Sequence, residues 1–220
     1  MKALLNCFGR TATHVNSDGY VVFDSSAYGT YSVGIGAGIY RIVLIGGGGG
    51  GAHCRYGAGH SIFNYYAQGG VAATFDGYVQ VTKDSTLTIT LGKSGTTSNS
   101  MDAGQVSVYG VDGNPSSITG IPGVTLYCGP GTAGKVINGN QGTAGTMGSA
   151  TISGANILRI DMNSNDHPIT SVASAGVRNN LNYATNSVLG RGGGVSGNYV
   201  YQGGAPYCLI LKVERENLGL

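Results

Sequence analysis

The chain has 220 residues, 41 of them glycine, with 10% charged residues, a net charge of +2, 14 tyrosines and no tryptophan. Glycine costs roughly 1 kcal/mol against alanine at each helix-interior position, so a body of ordinary helices is excluded. The near-neutral charge, with no cluster of Lys and Arg, excludes an electrostatic footprint for nucleic acid.

In chain order, the start MKALLNCFGRTATH is interrupted by Asn6, Cys7 and Arg10 before a secretory h-region forms. Residues 20–24 and 39–45 read as strands, the second ending in the run Gly46 to Gly51. Residues 71–81 form a further strand candidate. Thr-Leu-Thr-Ile-Thr-Leu at 86–91 alternates with period two, which puts Leu87, Ile89 and Leu91 on one face. Further strands are expected at 105–111, 156–160 and 207–213. Short strands in this number predict an all-β protein, an antiparallel β-sandwich or jelly-roll-like scaffold.

The stretches between, 46–70, 112–149 and 161–206, read as glycine-rich connections far longer than the usual 4–6 residues or so. Within them Gly139, Gly142, Gly145 and Gly148 recur every third residue. Gly131 and Gly134, Gly110 and Gly113, Gly120 and Gly123, and Gly194 and Gly197 share that spacing. Three residues per turn is the polyproline II repeat, and a glycine edge lets such segments pack backbone to backbone. The expectation is a small bundle of glycine-edged extended helices, set against irregular loops with incidental spacing. No apolar run reaches the length of a membrane-spanning helix.

Motifs for catalysis or cofactors are weak. Gly46, Gly48 and Gly51 satisfy G-x-G-x-x-G only because six glycines satisfy any glycine pattern, and no helical periodicity follows. Gly92-Lys93-Ser94 lacks the first P-loop glycine, since Leu87 stands there, and reads as a turn. His53, Cys54 and His60 lie close together, with His14, His167 and Asp166 elsewhere, but not at a zinc spacing. Four cysteines, Cys7, Cys54, Cys128 and Cys208, are far apart and read as buried thiols of a protein made in a reducing compartment. No G-x-S-x-G elbow occurs, and the carboxylates form no evident pair. The chain therefore reads as non-enzymatic, with no cofactor and no metal. The aromatics point elsewhere: Tyr56, Phe63, Tyr65 and Tyr66 in one connection, and Tyr199, Tyr201 and Tyr207 beside Arg191 and Asn198 in the last. Tyrosine offers contact area at low entropy cost plus a hydroxyl, which suits recognition of protein or glycan surfaces, while packing over glycine faces is the competing reading. The candidate receptor-binding set is Tyr56, Phe63, Tyr65, Tyr66, Arg191, Asn198, Tyr199 and Tyr201.

The order of parts, IVLIGGGGGGA, then TLTITLGKSG, then GRGGGVSGNYVYQGGAPYCLILKV, resembles the glycine-rich domains of bacteriophage tail fibres and tail-tip adhesins, over roughly residues 39–213. A glycine-rich module of some receptor tyrosine kinase ectodomains is similar. The phage resemblance implies a virion component, made in the host cytoplasm, that sits at the tail or a surface fibre as a homotrimer. It would contact a bacterial surface glycan or surface protein and other tail proteins. A fibre, baseplate or capsid-decoration subunit with an assembly role alone is one alternative, and a surface-glycan depolymerase another. Residues 1–38 read as an N-terminal strand or attachment segment and 39–220 as the glycine-rich β-domain, or the whole as one continuous domain.

Overall fold

In a computed structural model, the structure describes residues 20–23, 28–58, 61–100, 107–137, 142–162, 192–193, 195–196, 199–200 and 202–215. Two five-stranded antiparallel sheets face each other. The first runs β1 (Tyr20–Phe23), β17 (Tyr207–Val213), β3 (Gly38–Ile45), β6 (Thr74–Val81), β14 (Ile157–Met162). The second runs β13 (Ala150–Ser153), β11 (Thr125–Cys128), β10 (Ser116–Thr119), β7 (Ser85–Leu91), β2 (Gly29–Ile35). The sandwich is all-β, as the sequence predicts.

Its core follows from side-chain alternation. Leu87, Ile89 and Leu91 of β7 point inward with Tyr31, Val33, Ile118 and Leu126, against Tyr40, Ile42, Leu44, Phe75, Val79 and Ile210 of the other sheet. Thr86 and Thr88 face solvent. Each fully buried Ile, Leu or Phe contributes about 1.5–3 kcal/mol. The run Ile-Val-Leu-Ile at the end of β3 does not alternate because both faces of that strand are covered. Val43 and Ile45 are buried on the side opposite the core, level with Leu209 and Tyr207 of β17. On the same side Arg41 holds Asp76 through two bonds, Nε to Oδ1 at 2.9 Å and Nη2 to Oδ2 at 2.7 Å. Burial raises the Asp76 pKa, and Arg41 offsets only part of that rise.

At one end of the sandwich the strands run on into glycine. Residues 46–51 continue β3, 92–97 continue β7 and 129–134 continue β11. Residues 68–73, 110–115, 142–149 and 202–206 lead into β6, β10, β13 and β17. These segments pair laterally with a repeat of three. Gly46 and Gly49 donate to Ala73 and Gly70, Gly47 and Gly50 to Asn114 and Val111, and Gly48 to Gly204. In return Gly131 and Gly134 donate to Gly47 and Gly50, Gly95 and Ser98 to Gly48 and Gly51, and Gly193 to Gly49. The Gly46–Gly51 run is thus bonded on every side, and residues three apart share one neighbour, which is the polyproline II period. Further out the repeat persists: Gly110 and Gly113 donate to Gly134 and Gly131, and Gly145 and Gly148 to Gln68 and Val71.

Glycine is required here by proximity. A Cβ on Gly49 would fall 2.9 Å from the Gly131 carbonyl oxygen and nearer still to that of Thr132, separations that real Cβ atoms essentially never show. Six residues at 3.1 Å each make the bundle about 19 Å long.

Several sequence expectations change in the structure. The stretch 46–70 is not one loop: after the glycine run it holds a hairpin, β4 (Ala52–Ala58) and β5 (Ser61–Ala67). The stretch 112–149 contains β10 and β11, and Gly120 and Gly123 belong to their connection, with φ of 100° and 67°, rather than to the bundle. Lys93 and Ser94 do not form a turn. The Lys93 carbonyl accepts from Asn114 N–H, and Ser94 Oγ donates to the Gly204 carbonyl within the bundle. The expected strand at 105–111 is reduced, among the described residues, to β9 (Val108–Tyr109). Gly139, Gly194 and Gly197 lie outside the described residues.

Candidate functional site

At the far end of the bundle from the sandwich, the chain forms a second, smaller β-layer. It comprises the β4–β5 hairpin, β8 (Ser98–Ser100) parallel to β4, a ribbon of β9 with β12 (Lys135–Val136), and a hairpin of β15 (Val195–Ser196) with β16 (Tyr199–Val200). Among the described residues the chain enters and leaves this layer through glycine segments, so the bundle sets its position. The sequences AHCRYGA and SIFNYYA pair so that Cys54 opposes Tyr65 and Tyr56 opposes Phe63 on one face, while His53 opposes Tyr66 on the other.

The first face is anchored at its base. Ala52, Cys54 and Ala67 are buried against Val108 and Val136 of the ribbon, with Tyr65 packed on them. Towards the hairpin tip the cover ends. Phe63 is 46% exposed, Tyr56 is half-buried, and the Phe63 and Tyr65 rings lie 6.3 Å apart in a near-parallel arrangement. Tyr109, on the outer side of the ribbon, is also exposed.

The second face centres on His53, which is buried. Its Nδ1 lies 2.7 Å from Asn99 Oδ1 and its Nε2 3.4 Å from Asn64 Oδ1, while the Tyr66 ring stacks on it at 4.7 Å. Whichever ring nitrogen carries the proton has an amide oxygen to receive it. His53 therefore ties β4 to β5 and β8, and Tyr66 serves as its lid. The sequence offered no signal for this tie, since Asn99 is 46 residues away and becomes its neighbour only through the parallel pairing of β4 with β8.

The candidate residues thus divide. Tyr56, Phe63, Tyr65 and Tyr66 share one hairpin but occupy two faces. Tyr199 is on β16, which lies against β4, so the last connection is brought to the same end of the molecule. Arg191, Asn198 and Tyr201 lie outside the described residues. Tyr207 is buried at the start of β17 in the sandwich, with the bundle segment 202–206 between it and this layer.

The reactive side chains are engaged structurally. His53 and Cys54 are adjacent on β4 and point to opposite faces, and His60 lies outside the described residues. Among the described residues no group of three or more His, Cys, Asp or Glu could hold a metal ion. Cys54, Cys128 and Cys208 are buried thiols, in no disulfide, whose pKa is raised by burial, that of Cys128 to about 12. Asp76 is held by Arg41 and Asp161 by Arg159, while Asp84 accepts from Ala37 N–H and Asp112 from Ala133 N–H. No helix among the described residues is long and apolar enough to cross a membrane. What the arrangement offers chemically is an aromatic face, Tyr56 and Phe63 next to Tyr65, on the side of the hairpin opposite His53 and its amides. No protein-family model matches the chain, and no curated protein is significantly similar to it.

Proposed function

We propose that this chain is a non-enzymatic bacteriophage virion protein, a tail fibre or tail-tip adhesin, that recognises a molecule of the bacterial surface. The observation that carries the reading is the aromatic hairpin of β4 and β5, held beyond a hydrogen-bonded glycine bundle whose far end is rooted in a β-sandwich. Such a build places Tyr56, Phe63 and Tyr65 on a rigid outer layer, and exposed rings on a rigid support bind with little ordering cost. The surface carries few charges, so recognition rests on ring stacking and hydrogen bonds of the tyrosine hydroxyls, which suit a surface glycan or a surface-protein loop. In the virion the sandwich would face the rest of the tail and the hairpin layer the host.

The test is adsorption. Purified protein binds cells of the host and competes with virions for them, and Phe63→Ala weakens both while the fold persists. Protein that adsorbs to no host cell and leaves virion adsorption unchanged at saturating concentration refutes the reading. Release of reducing ends from host polysaccharide would replace it with a depolymerase.

A further inference from the structure

Strand pairing in the hairpin layer also gathers polar groups on the face that carries His53. Arg55, two residues along β4, stands on the same side of the strand as His53 and directly across from Asn64 of β5. Asn99 of β8 lies level with His53 on the other side of β4. Arg55 is half-buried, while Asn64 and Asn99 are exposed.

The His53 ring sets how the two amides are turned. Its Nδ1 lies 2.7 Å from Asn99 Oδ1, and its Nε2 lies 3.4 Å from Asn64 Oδ1. A carboxamide whose oxygen faces the ring carries its nitrogen, with the N–H donors, on the side away from it. Asn64 and Asn99 therefore turn donors away from the histidine. Arg55 adds a guanidinium, which has only N–H donors and no acceptor. In the sandwich, arginine stands beside a carboxylate, Arg41 with Asp76 and Arg159 with Asp161. The cross-strand neighbour of Arg55 is instead an amide whose oxygen is directed at His53. Donors from both amides and from a cation thus come together on one face.

We propose that this face is a binding site for an oxyanion, a phosphate or carboxylate group of a ligand. Arg55 supplies the charge and the planar fork that matches such oxygens, and Asn64 and Asn99 hydrogen-bond from the strands on either side of it. Tyr56, Phe63 and Tyr65 lie on the reverse of the hairpin, so anion binding here and ring contacts there are separable.

The test is an NMR titration of the full chain with inorganic phosphate and, in a second arm, with glucuronate, against sodium chloride at matched ionic strength. The signals followed are Arg55 Nε–H and the side-chain amides of Asn64 and Asn99. Saturable shifts of all these groups are expected with at least one of the two anions and not with chloride, and the tighter arm tells phosphate from carboxylate. Arg55→Met should weaken that binding about tenfold or more, the cost of a lost charge-assisted hydrogen bond. Where Arg55→Met does not keep the β-sheet circular dichroism of the parent, Arg55→Gln carries the same criterion. Shifts that never saturate, or that match those in chloride, overturn the proposal. So does saturable binding that is unchanged when Arg55 is replaced. Neither arm uses host cells, so the outcome is independent of the adsorption test.

Discussion

Replacing Gly49 by alanine perturbs the glycine bundle at its centre. The new Cβ would lie 2.9 Å from the Gly131 carbonyl oxygen and nearer still to that of Thr132, and both neighbours are backbone. No rotamer change relieves such a clash, so the segments must separate. Separation endangers two lateral bonds, Gly49 N–H to the Gly70 carbonyl at 2.9 Å and Gly193 N–H to the Gly49 carbonyl at 2.7 Å. Overpacking costs about 1–3 kcal/mol, and each buried polar group left unpaired about 1–3 kcal/mol. The total, about 3–9 kcal/mol, is a large part of the ~5–15 kcal/mol that holds an ordinary domain together. Gly34→Ala is the matched control, because a Cβ there meets nothing within 4 Å. It should change stability by less than about 1 kcal/mol, in the stabilising direction, through the unfolded chain. In urea denaturation the Gly49→Ala midpoint should fall by more than about 1 M while that of Gly34→Ala stays in place. A Gly49→Ala protein as stable as the parent would refute the close-packing argument.

Arg41→Met alone leaves the Asp76 carboxylate buried without its partner and should cost about 3–5 kcal/mol, whereas Arg41→Met/Asp76→Leu should recover most of it. Because burial raises the Asp76 pKa in the folded state, this group's stability contribution is greatest below its unfolded pKa and is lost as pH rises through the folded one. The Arg41→Met deficit should accordingly shrink on acidification through the carboxylate range, as read by thermal melting. The buried thiols give the alkaline limb: above the ordinary value of 9.0 the unfolded chain releases the Cys128 proton, while the folded chain keeps it until about 12. Stability should fall there by about 1.4 kcal/mol per pH unit for each such thiol, and Cys128→Ala/Cys208→Ala should show a shallower loss than the parent in urea melts between these values. Phe63→Ala should lower host-cell adsorption about tenfold or more if the ring is an anchor of the contact. Its melting temperature should move little, because the ring is half exposed.

The sandwich was legible where one sheet face is dry. The alternation at 86–91 and the apolar runs at 39–45 and 207–213 mark β7, β3 and β17 almost to the residue. The bundle was legible in part, because a three-residue repeat of glycine has a physical reading. Gly131, Gly134, Gly145 and Gly148 lie in it and Gly142 packs at its edge against Tyr66 and Ala67, while Gly120 and Gly123 have the same spacing for an unrelated reason, the positive φ of a turn. Spacing alone cannot separate backbone proximity from backbone handedness. The hairpin of β4 and β5 was hidden although AHCRYGA alternates, with Ala52, Cys54 and Tyr56 on one face and His53, Arg55 and Gly57 on the other. The apolar face is built of small residues and one tyrosine beside a glycine run, which carries none of the β-branched signal that marks β3 or β7. The aromatic candidates were found by type, but their division between two faces depends on register with β5, which the sequence does not display.

Backbone amide exchange of the Gly46–Gly51 run, read by NMR on glycine-labelled protein, tests the central claim most directly. Every amide from Gly46 to Gly50 donates to a different neighbouring residue, with the threefold repeat. All five should therefore exchange as slowly as those of Ile42 and Leu44 in β3, and Gly49→Ala should accelerate them together. Exchange of these glycines at the rate of an unstructured chain, with β3 and β7 still protected, would contradict the account.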